Sequence, residues 1–480
     1  MRYIIEAALE QSQLLNRTLV LPSFVYARAC EWEIVSCAAF APMVNRGQAV
    51  HSTEWDGLPL NKQIAYRIPM QIMIDLPHLR KTHSVLLTSE YLKLNGLSPD
   101  LETSNGEFHR QVYLGNKKDE HGNDVQMTIR VVKNDEYDPD RVVRVDHLGP
   151  LSSKGNANLD VGPHSTKLWD KLRSKDDHTM ISMNDARDAV RDILKNPEDD
   201  DELEKELNKI GWIVLHTWDG WAGAEWLKSV VRPIKQVAPL RTIRGWHEDY
   251  HFMEHDVIVL EGETHLGRKP GAMFFTTATG RDRFARTVLY ALRPIEKIRN
   301  LGATLAERMR KKVGGHMWVA GHMRRGDFVR EGWVMESSIS DHLSRVQRHL
   351  KEGILILRKI HEEGKVTPFQ IPDAVPNETQ LTYEPPRDGE WFYIATDERD
   401  IVGLDYIRKN GGVLFGDLIT IEDRQKFGWP MMITDVIALV EQVVLSHSYY
   451  FYAHAMSSVA GGAVNMRAAM GADSRTSWVD

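Results

Sequence analysis

The sequence has almost no cysteine, and this scarcity limits the scaffolds and sites that it can form. Cys30 and Cys37 are the only cysteines among its 480 residues. Two thiols can build neither a disulfide scaffold nor a multi-cysteine zinc site, although they are sufficient for one local disulfide. The count excludes disulfide-dense and zinc-finger-like domains and leaves the compartment undecided.

Long apolar runs and an excess of basic charge are also lacking. No run approaches the roughly eighteen apolar residues of a membrane helix, and the start lacks the charged-then-apolar pattern of a signal peptide. The formal net charge is -7 at pH 7, and the pI is about 6.3. Proteins that bind nucleic acid without sequence preference carry a broad basic surface, which this net charge does not indicate. We therefore expect no membrane segment in this chain and no nucleic-acid partner.

What is present is an alternation of strand-like apolar runs and helical patterns. The length of 480 residues and the 42% hydrophobic composition favour two or three domains. The alternation on both sides of Arg293 predicts an α/β fold with two Rossmann-like, doubly wound domains that face a cleft. We place the N-terminal domain, which carries a charged insertion, at residues 1–292 and the C-terminal domain at residues 293–480.

The amino-terminal residues predict the second half of a βαβ unit. Residues 2–15 have a helical pattern, and residues 18–22 predict a strand. A helix that begins at residue 2 and feeds a strand lacks the strand that should precede it, so we expect the first strand of the N-terminal domain to be missing. The continuous apolar runs at residues 211–216 and 257–262 predict buried strands of a parallel sheet.

The most informative stretch is residues 315–328, where an apolar run ends in a cluster of charge. His322, Arg324, Arg325 and Asp327 end or follow a segment that predicts a buried strand. In open α/β sheets, ligands bind where parallel strands end and open into loops. Adjacent guanidinium groups repel each other, so an anion with several oxygens is a physical reason to place them together. We therefore predict that this loop binds the diphosphate of a nucleotide.

Two later strands also end in polar residues. Residues 391–398 predict a buried strand that ends in Thr396 and Asp397. Residues 449–452 predict another, followed by a small-residue turn at 455–462 and then a helix. A strand, a turn of small residues and a helix N-terminus together favour phosphate binding, with serine hydroxyls adding hydrogen bonds.

Three motifs resemble those of a known family. Residues 322–327, with the sequence HMRRGD, resemble the His-x-Arg-Arg-x-Asp motif of the O-fucosyltransferase and α1,6-fucosyltransferase superfamily. Residues 393–397 are similar to the second motif of that family, and Ser457-Ser458 with Arg467 is similar to the third. All three occur in the family's order. The resemblance implies the two-lobed GT-B fold and a divergent member of the family.

The resemblance is confined mainly to the C-terminal half of the chain. Residues 15–22 are similar to the strand entry of the family's amino-terminal lobe, whereas residues 95–208 have no counterpart. The glycine- and asparagine-rich loop that family members carry before the first helix would precede Met1. We therefore expect a chain truncated at its N-terminus, with the family's signal or anchor lost upstream and the Golgi or ER lumen as its compartment.

The resemblance also implies a reaction. Fucose would pass from GDP-fucose to a hydroxyl of a protein or glycan by an inverting mechanism that needs neither a metal nor a cofactor. Arg324 is the expected catalytic residue, because it would contact the β-phosphate and stabilise the charge on the leaving GDP. The other residues expected to bind the nucleotide are His322, Arg325, Asp327, Thr396, Asp397, Asp435, Ser457 and Ser458. Candidates for the base, by residue type alone, are Glu6, Glu331 and Glu336.

Other interpretations of these residues are structural or belong to a different class. Without a ligand the paired arginines would form salt bridges, and Asp397 and Ser457 would be helix caps. The chain could also be a non-catalytic GT-B descendant that binds a nucleotide or a partner. Finally, His247-Glu248-x-x-His251 matches the signature of zinc metallohydrolases, with Glu248 as the base, but the sequence leaves little room there for their long helix.

Overall fold

The chain is a mixed α/β protein with several parallel strand pairs. The computed structural model describes residues 2–27, 29–45, 63–102, 116–133, 141–149, 162–175, 178–219, 229–260, 272–334 and 336–480. Its strands, in chain order, are β1 (Leu19–Leu21), β2 (Phe24–Ala27), β3 (Met43–Asn45), β4 (Ile64–Pro69), β5 (Val85–Leu87), β6 (Asn116–Lys118), β7 (Asp124–Gln126), β8 (Ile129–Val132), β9 (Val143–Val145), β10 (Ile181–Ser182), β11 (Trp212–Trp218), β12 (Pro233–Pro239), β13 (Ile243–Gly245), β14 (Val257–Leu260), β15 (Val319–Met323), β16 (Phe392–Thr396), β17 (Gly412–Val413), β18 (Tyr450–Ala453) and β19 (Ser477–Val479).

The helices include the predicted amino-terminal one, which is confirmed together with the strand after it. A π-helix, Thr287–Ala291, precedes the break at Pro294. Ser338 caps the longest helix, and Gly364, in the left-handed conformation, ends it. The α-helices are α1 (Arg2–Leu14), α2 (Ile34–Ala38), α3 (Leu76–Leu79), α4 (Thr88–Leu94), α5 (Pro163–Arg173), α6 (Met183–Val190), α7 (Asp200–Lys209), α8 (Trp246–Tyr250), α9 (Ala278–Arg286), α10 (Glu296–Lys312), α11 (Gly326–Arg330), α12 (Ile339–Glu363), α13 (Ile401–Lys409), α14 (Phe415–Leu418), α15 (Ile421–Phe427), α16 (Thr434–Ser446) and α17 (Ser458–Ala469).

The C-terminal half contains a five-stranded parallel sheet in the order β17-β16-β15-β18-β19. Numbered along the chain, this order is 3-2-1-4-5, so the direction of winding reverses at β15. A doubly wound sheet binds ligands at such a reversal, beyond the carboxyl ends of the strands. The doubly wound arrangement predicted for this half is therefore confirmed, and its switch point lies between β15 and β18.

Helices cover both faces of this sheet because side chains alternate along each strand. Met323 of β15 packs in one apolar cluster with Val346 of α12. Tyr393 of β16 packs on the opposite face in a cluster that contains Val440 of α16 and residues of α10 and α17. All five residues of β15 are buried, as expected for a central parallel strand.

The strands before residue 293 do not form one such sheet in the part of the chain that the structure describes. They are divided among six sheets of two or three strands. Strand β11 is fully buried, as predicted, but it pairs antiparallel with β12, whereas β14 pairs parallel with β8. An apolar run reports burial on both faces and not the direction of its neighbour, so the sequence placed β11 in the wrong kind of sheet. The doubly wound N-terminal domain and its missing strand stay predictions.

The largest apolar cluster joins the two halves of the chain. It contains Leu9 of α1 and Phe284 of α9 together with Leu305 of α10 and Val440 of α16. The charged helices α5 to α7 pack an apolar face against β11 in a separate cluster, as expected for an amphipathic insertion. Within the described ranges no helix has both the length and the apolar character to cross a membrane. The predicted boundary at Arg293 stays a prediction.

An amino-terminal segment lies against the C-terminal half. Cys30 and Cys37 form a disulfide, so the local pairing that the sequence allowed is confirmed. Cys30 forms a β-bridge with Ile433, just before α16, and Glu31 forms an ion pair with Arg424 at 2.5 Å. These contacts bring residues 29–31 to the N-terminal end of α16.

Candidate functional site

The switch point collects polar residues from three strands. His322 of β15 lies opposite Ala395 of β16 and Ala453 of β18 in the parallel register. The residues that follow these strands therefore emerge at the same edge of the sheet. They include Arg324 and His454, which both lie near the ring of Phe328. The centroid of this ring is 5.1 Å from the guanidinium carbon of Arg324 and 6.0 Å from the centroid of the His454 ring.

Arg324 is held at this edge by Asp397. The guanidinium group forms an ion pair with the Asp397 carboxylate, which also accepts a hydrogen bond from the backbone N–H of Arg325 at 2.7 Å. A Cβ at Gly326 would collide with the same carboxylate, so a larger residue there would displace Asp397 from this position. The Arg324 side chain is 30% exposed. The structure thus brings together Arg324 and Asp397, with the guanidinium group positioned and still accessible, and their nucleotide-binding roles stay predictions.

Arg325 occupies a different environment from its neighbour. Its guanidinium group is buried and binds the Glu398 carboxylate at 2.9 Å and the carbonyl oxygens of Ser337 at 2.8 Å and Ser338 at 3.4 Å. These contacts tie the loop after β15 to the loop after β16 and to the start of α12. Arg325 therefore positions the loop, and its predicted contact with a phosphate would require it to give up partners that it already has.

His322 is a buried neutral imidazole at the edge of the sheet. Burial, together with nearby Arg324, lowers its pKa to about 3. Its Nδ1 atom is buried and makes no hydrogen bond within the described part of the chain. His342 of α12 lies near it, and burial likewise lowers its pKa to about 3. A buried polar atom without a partner is costly in a folded protein, so His322 marks a position where a bound group would be stabilised.

A second charged group lies beside the three-strand edge. Buried Arg345 of α12 forms ion pairs with Glu336 at 2.9 Å and with Asp480 at 3.3 Å. Asp480 also accepts a hydrogen bond from the Tyr452 hydroxyl at 3.0 Å. Both Glu336 and Asp480 act electrostatically on His454, whose pKa is lowered by burial and by Arg345. The site therefore extends from Arg324 across β15 and β18 to Glu336.

The three candidate bases differ in placement. Glu336 forms an ion pair with Arg345, which lies beside the edge of the C-terminal sheet. Glu331 is exposed just after α11. Glu6 is buried on α1, where it pairs with Arg2 at 2.8 Å and burial raises its pKa. Glu336 is joined to the candidate site by its ion pair with Arg345.

Thr396 and Ser457 are engaged in local structure. The Thr396 hydroxyl donates to the carbonyl of Met323 at 2.8 Å and accepts from the Glu398 N–H at 3.1 Å. Ser457 is buried and caps α17 by accepting from the Val459 N–H at 3.3 Å. The cap interpretation of Ser457 is thus confirmed, and its phosphate contact stays a prediction.

The remaining predicted nucleotide contacts are spread along the chain. Ser458 is exposed at the first position of α17. Asp435 is exposed on the first turn of α16, next to the segment at Ala29 to which Thr434 is hydrogen-bonded. Asp327 lies in α11, and its side chain is outside the described part of the structure. The nucleotide-binding roles of these residues stay predictions.

The predicted small-residue turn before α17 is wrong. The helix begins at Ser458, so Gly461 and Gly462 lie inside it. A Cβ at Gly462 would collide with the side-chain amide of Gln442, because α16 and α17 pack closely there. Small residues mark loops that admit a ligand, but they also mark close helix contacts, and the sequence does not distinguish the two.

Arg467, the arginine of the third motif, is fully buried and structural. Its guanidinium group donates to Ser477 Oγ at 2.9 Å, to Thr476 Oγ1 at 2.6 Å, to the carbonyl of Tyr449 at 3.1 Å and to the carbonyl of Ser448. Burial lowers its pKa to about 9. Arg467 joins α17 to the segments that flank β18 and β19, and so stabilises the fold around the site.

Sequence reasoning missed Glu441 of α16. Its carboxyl accepts a hydrogen bond from the Tyr393 hydroxyl at 3.0 Å. Burial, together with the charges of Asp397 and Glu31, raises its pKa to about 8. The carboxyl is therefore near enough to Asp397 and to Glu31 of the amino-terminal segment to be affected by both charges. An acidic residue within the apolar run of α16 was the signal that could have revealed it.

The Glu441→Gln variant should change the pH dependence of stability. A carboxyl whose pKa rises from 4.5 to about 8 on folding keeps its proton in the folded chain and loses it in the unfolded chain between these values. Wild type should therefore lose stability as the pH rises through this window. Because one pKa unit corresponds to about 1.4 kcal/mol, the variant should be more stable by up to about 5 kcal/mol at pH 9 and similar at pH 4.5.

Thermal unfolding of both proteins from pH 4.5 to pH 9 measures this difference. Glu422→Gln is the matched control, because Glu422 is an exposed carboxylate in α15 and its replacement should leave the pH profile unchanged. Parallel pH profiles for wild type and Glu441→Gln would show that the carboxyl ionises normally in the folded chain.

The zinc-protease signature does not form its expected site. Helix α8 has five residues and His251 lies at its end, stacked on His247 at a ring distance of 4.6 Å. Glu248 accepts hydrogen bonds from the backbone N–H groups of Leu148 at 2.9 Å and Gly149 at 3.0 Å. Glu248 therefore anchors a loop, and the assignment of His247, Glu248 and His251 to a zinc-metallohydrolase motif is wrong because the long helix is absent there.

Comparisons with known proteins give only a loose structural likeness. No family model matches this chain, and no curated protein matches it. Solved structures that resemble it include POFUT1 in complex with GDP-fucose, in two crystal forms with TM-scores of 0.32 and 0.34, and POFUT1 in complex with GDP, with a TM-score of 0.31. Each is 11% identical and covers 99% of this chain and 92% or 93% of POFUT1. At TM-scores this low, the likeness carries no argument about the function of this chain.

Proposed function

We propose that this chain binds a sugar nucleotide of the GDP-fucose class at the switch point of its C-terminal sheet and transfers the sugar to a hydroxyl group. The observation that carries the proposal is the accessible Arg324 guanidinium group, held by Asp397 near His322, whose buried Nδ1 atom has no hydrogen-bond partner among the described residues. Both residues stand at the position where doubly wound sheets bind ligands. The choice of GDP-fucose rests on the resemblance of residues 322–327 and 393–397 to fucosyltransferase motifs.

Arg324 would bind the diphosphate. In the free chain its guanidinium group forms an ion pair with the Asp397 carboxylate, and a diphosphate offers several acceptor oxygens and a higher negative charge. Asp397 would keep the side chain directed at the edge while the phosphate shares its donors. The neutral imidazole of His322 would form one hydrogen bond with the nucleotide. Because it carries no positive charge, it would not compete with Arg324 for the diphosphate.

The proposed reaction is an inverting displacement. The acceptor oxygen forms a bond to the anomeric carbon as the bond to the β-phosphate oxygen breaks, and GDP leaves with the bonding electrons. Arg324 stabilises the negative charge that develops on the leaving oxygen. The acceptor's proton passes to a carboxylate, and Glu336 is the candidate that is joined to the site by its ion pair with Arg345. None of these steps uses a metal ion or an organic cofactor.

The acceptor, a protein or a glycan, would approach from the amino-terminal side. Residues 29–31 lie against the N-terminal end of α16, which carries Asp435, the proposed contact to the guanine edge. A Golgi or ER lumen location belongs to the same proposal.

Nucleotide-dependent stabilisation tests the proposal. GDP at about one hundred times its Kd should stabilise the folded chain by about 2.7 kcal/mol and raise the midpoint of thermal unfolding. GMP, which lacks the β-phosphate, and UDP, which lacks guanine, should each give a smaller shift at the same concentration. A GDP shift no larger than that of GMP would count against the diphosphate site, and equal shifts with GDP and UDP would count against guanine recognition.

Release of GDP from GDP-fucose, with and without an added hydroxyl acceptor, measures turnover separately. A chain that binds GDP and releases none from GDP-fucose would be the non-catalytic descendant that the same motifs allow.

A further inference from the structure

We propose that His147, His247 and Glu248 form a binding site for a divalent transition-metal ion of the zinc class. One ligand atom from each of the three side chains lies within 4.8 Å of the other two. Imidazole nitrogen with carboxylate oxygen is a donor set that zinc favours. This group differs from the linear His-Glu-x-x-His motif, because His251 is outside it and His147 comes from a segment one hundred residues earlier.

The parallel pairing of two short strands creates the site. Strands β9 and β13 run side by side with Val145 opposite Gly245. His147 and His247 each lie two residues beyond this pair, so the two imidazoles leave equivalent positions at the same edge. Their ring centroids are 4.6 Å apart. The backbone N–H of His247 donates to the carbonyl of Asp146 at 3.0 Å, which fixes the two segments to each other.

Glu248 is held in place by the backbone of the opposite segment. One carboxylate oxygen accepts from Leu148 N–H and the other from Gly149 N–H, and the latter oxygen also contacts the His147 ring. A Cβ at Gly245 would collide with this carboxylate, so glycine is required for Glu248 to turn inward. A carboxylate fixed in this way has little freedom left to lose when it binds a metal ion.

The Nδ1 atom of His247 faces the Glu248 carboxylate within this group. It is buried and has no hydrogen-bond partner in the part of the chain that the structure describes, and its distance to the nearer Glu248 oxygen is 3.8 Å. The neighbouring Asp249 is neutralised by Arg144 at 2.5 Å and Arg244 at 2.9 Å. Three protein ligands would leave one position of a tetrahedral zinc ion for water.

Metal analysis of the full chain, purified without a histidine tag, tests the site. The protein is stripped with EDTA, reloaded with zinc chloride and desalted, and bound zinc is measured by mass spectrometry. Wild type should retain one zinc ion per chain, and His147→Ala and His247→Ala should each weaken zinc binding by more than about 100-fold. His251→Ala is the matched control, because this stacked ring lies outside the group, and it should retain zinc.

Failure of wild type to retain zinc would overturn the site, as would full retention by both His147→Ala and His247→Ala. If these variants do not fold, X-ray absorption of zinc-loaded wild type decides the question. Scattering from two imidazole rings would support the site, and its absence would exclude it. Because the site lies outside the edge at Arg324, these results are independent of GDP binding.

Discussion

Arg324→Ala should remove the proposed GDP-dependent rise in unfolding temperature and lower the rate of the proposed fucose transfer by about 10²- to 10³-fold. This range corresponds to the removal of one preorganised donor that stabilises a developing negative charge. In the free chain the Arg324 side chain is 30% exposed and its ion pair with Asp397 is partly open to solvent, so stability without nucleotide should change by about 1 kcal/mol or less. Thermal unfolding with and without GDP, together with GDP release from GDP-fucose, measures both effects.

Two further variants define the role of Arg324. Arg324→Lys keeps the positive charge but lacks the planar guanidinium group, which can donate two hydrogen bonds to one phosphate. This variant should therefore recover part of the GDP-dependent rise in unfolding temperature and little of the transfer rate. Arg408→Ala is the control, because Arg408 is an exposed arginine on α13 that pairs with Asp405 and Asp417. It should behave as wild type. An undiminished GDP shift in Arg324→Ala would refute the assignment of the diphosphate to this residue.

Arg467→Met should destabilise the fold by about 4 kcal/mol or more. The replacement leaves the hydroxyls of Ser477 and Thr476 and the carbonyls of Ser448 and Tyr449 without their buried donor. Each buried acceptor that loses its partner costs about 1 to 3 kcal/mol. The cost is large because a methionine fills the space of the arginine without replacing any of its hydrogen bonds.

Chemical and thermal unfolding of Arg467→Met, without nucleotide, measures this loss. Arg408→Met is the matched control and should change stability by about 1 kcal/mol or less, because its ion pairs are exposed to solvent. If Arg467→Met were as stable as wild type but failed to bind GDP, Arg467 would be a nucleotide contact rather than a structural clamp. Loss of stability together with retained GDP binding in the folded fraction is the expected result.

The sequence located the edge of the candidate site because its signals there are local. A continuous apolar run followed by charge is visible within about ten residues, and it placed Arg324 and Asp397 at the ends of strands that prove to be adjacent. Two adjacent arginines look alike in sequence, however. Only the contacts across the loop assign Arg325 to Glu398 and leave Arg324 accessible.

Where the sequence failed, the deciding partner lay far along the chain. The glycines of α17 were assigned to a loop because the close approach of α16 cannot be read from their own segment. The same limitation hid Glu441, whose environment is set by Tyr393 and by the amino-terminal segment.

The sequence by itself indicated the alternation of strands and helices in the C-terminal half, the charge that follows two of its strands, and the first helix and strand. Tertiary structure alone decided the direction of the strands before residue 293, the structural role of Arg467 and the meeting of His147 with His247. The physical reason is that periodicity and composition record which residues are buried, whereas strand partners and buried contacts depend on register between distant segments. At the edge that carries Arg324, the buried strand β15, the charged residues that follow it and its register with β16 all favour the placement of Arg324 beside Asp397.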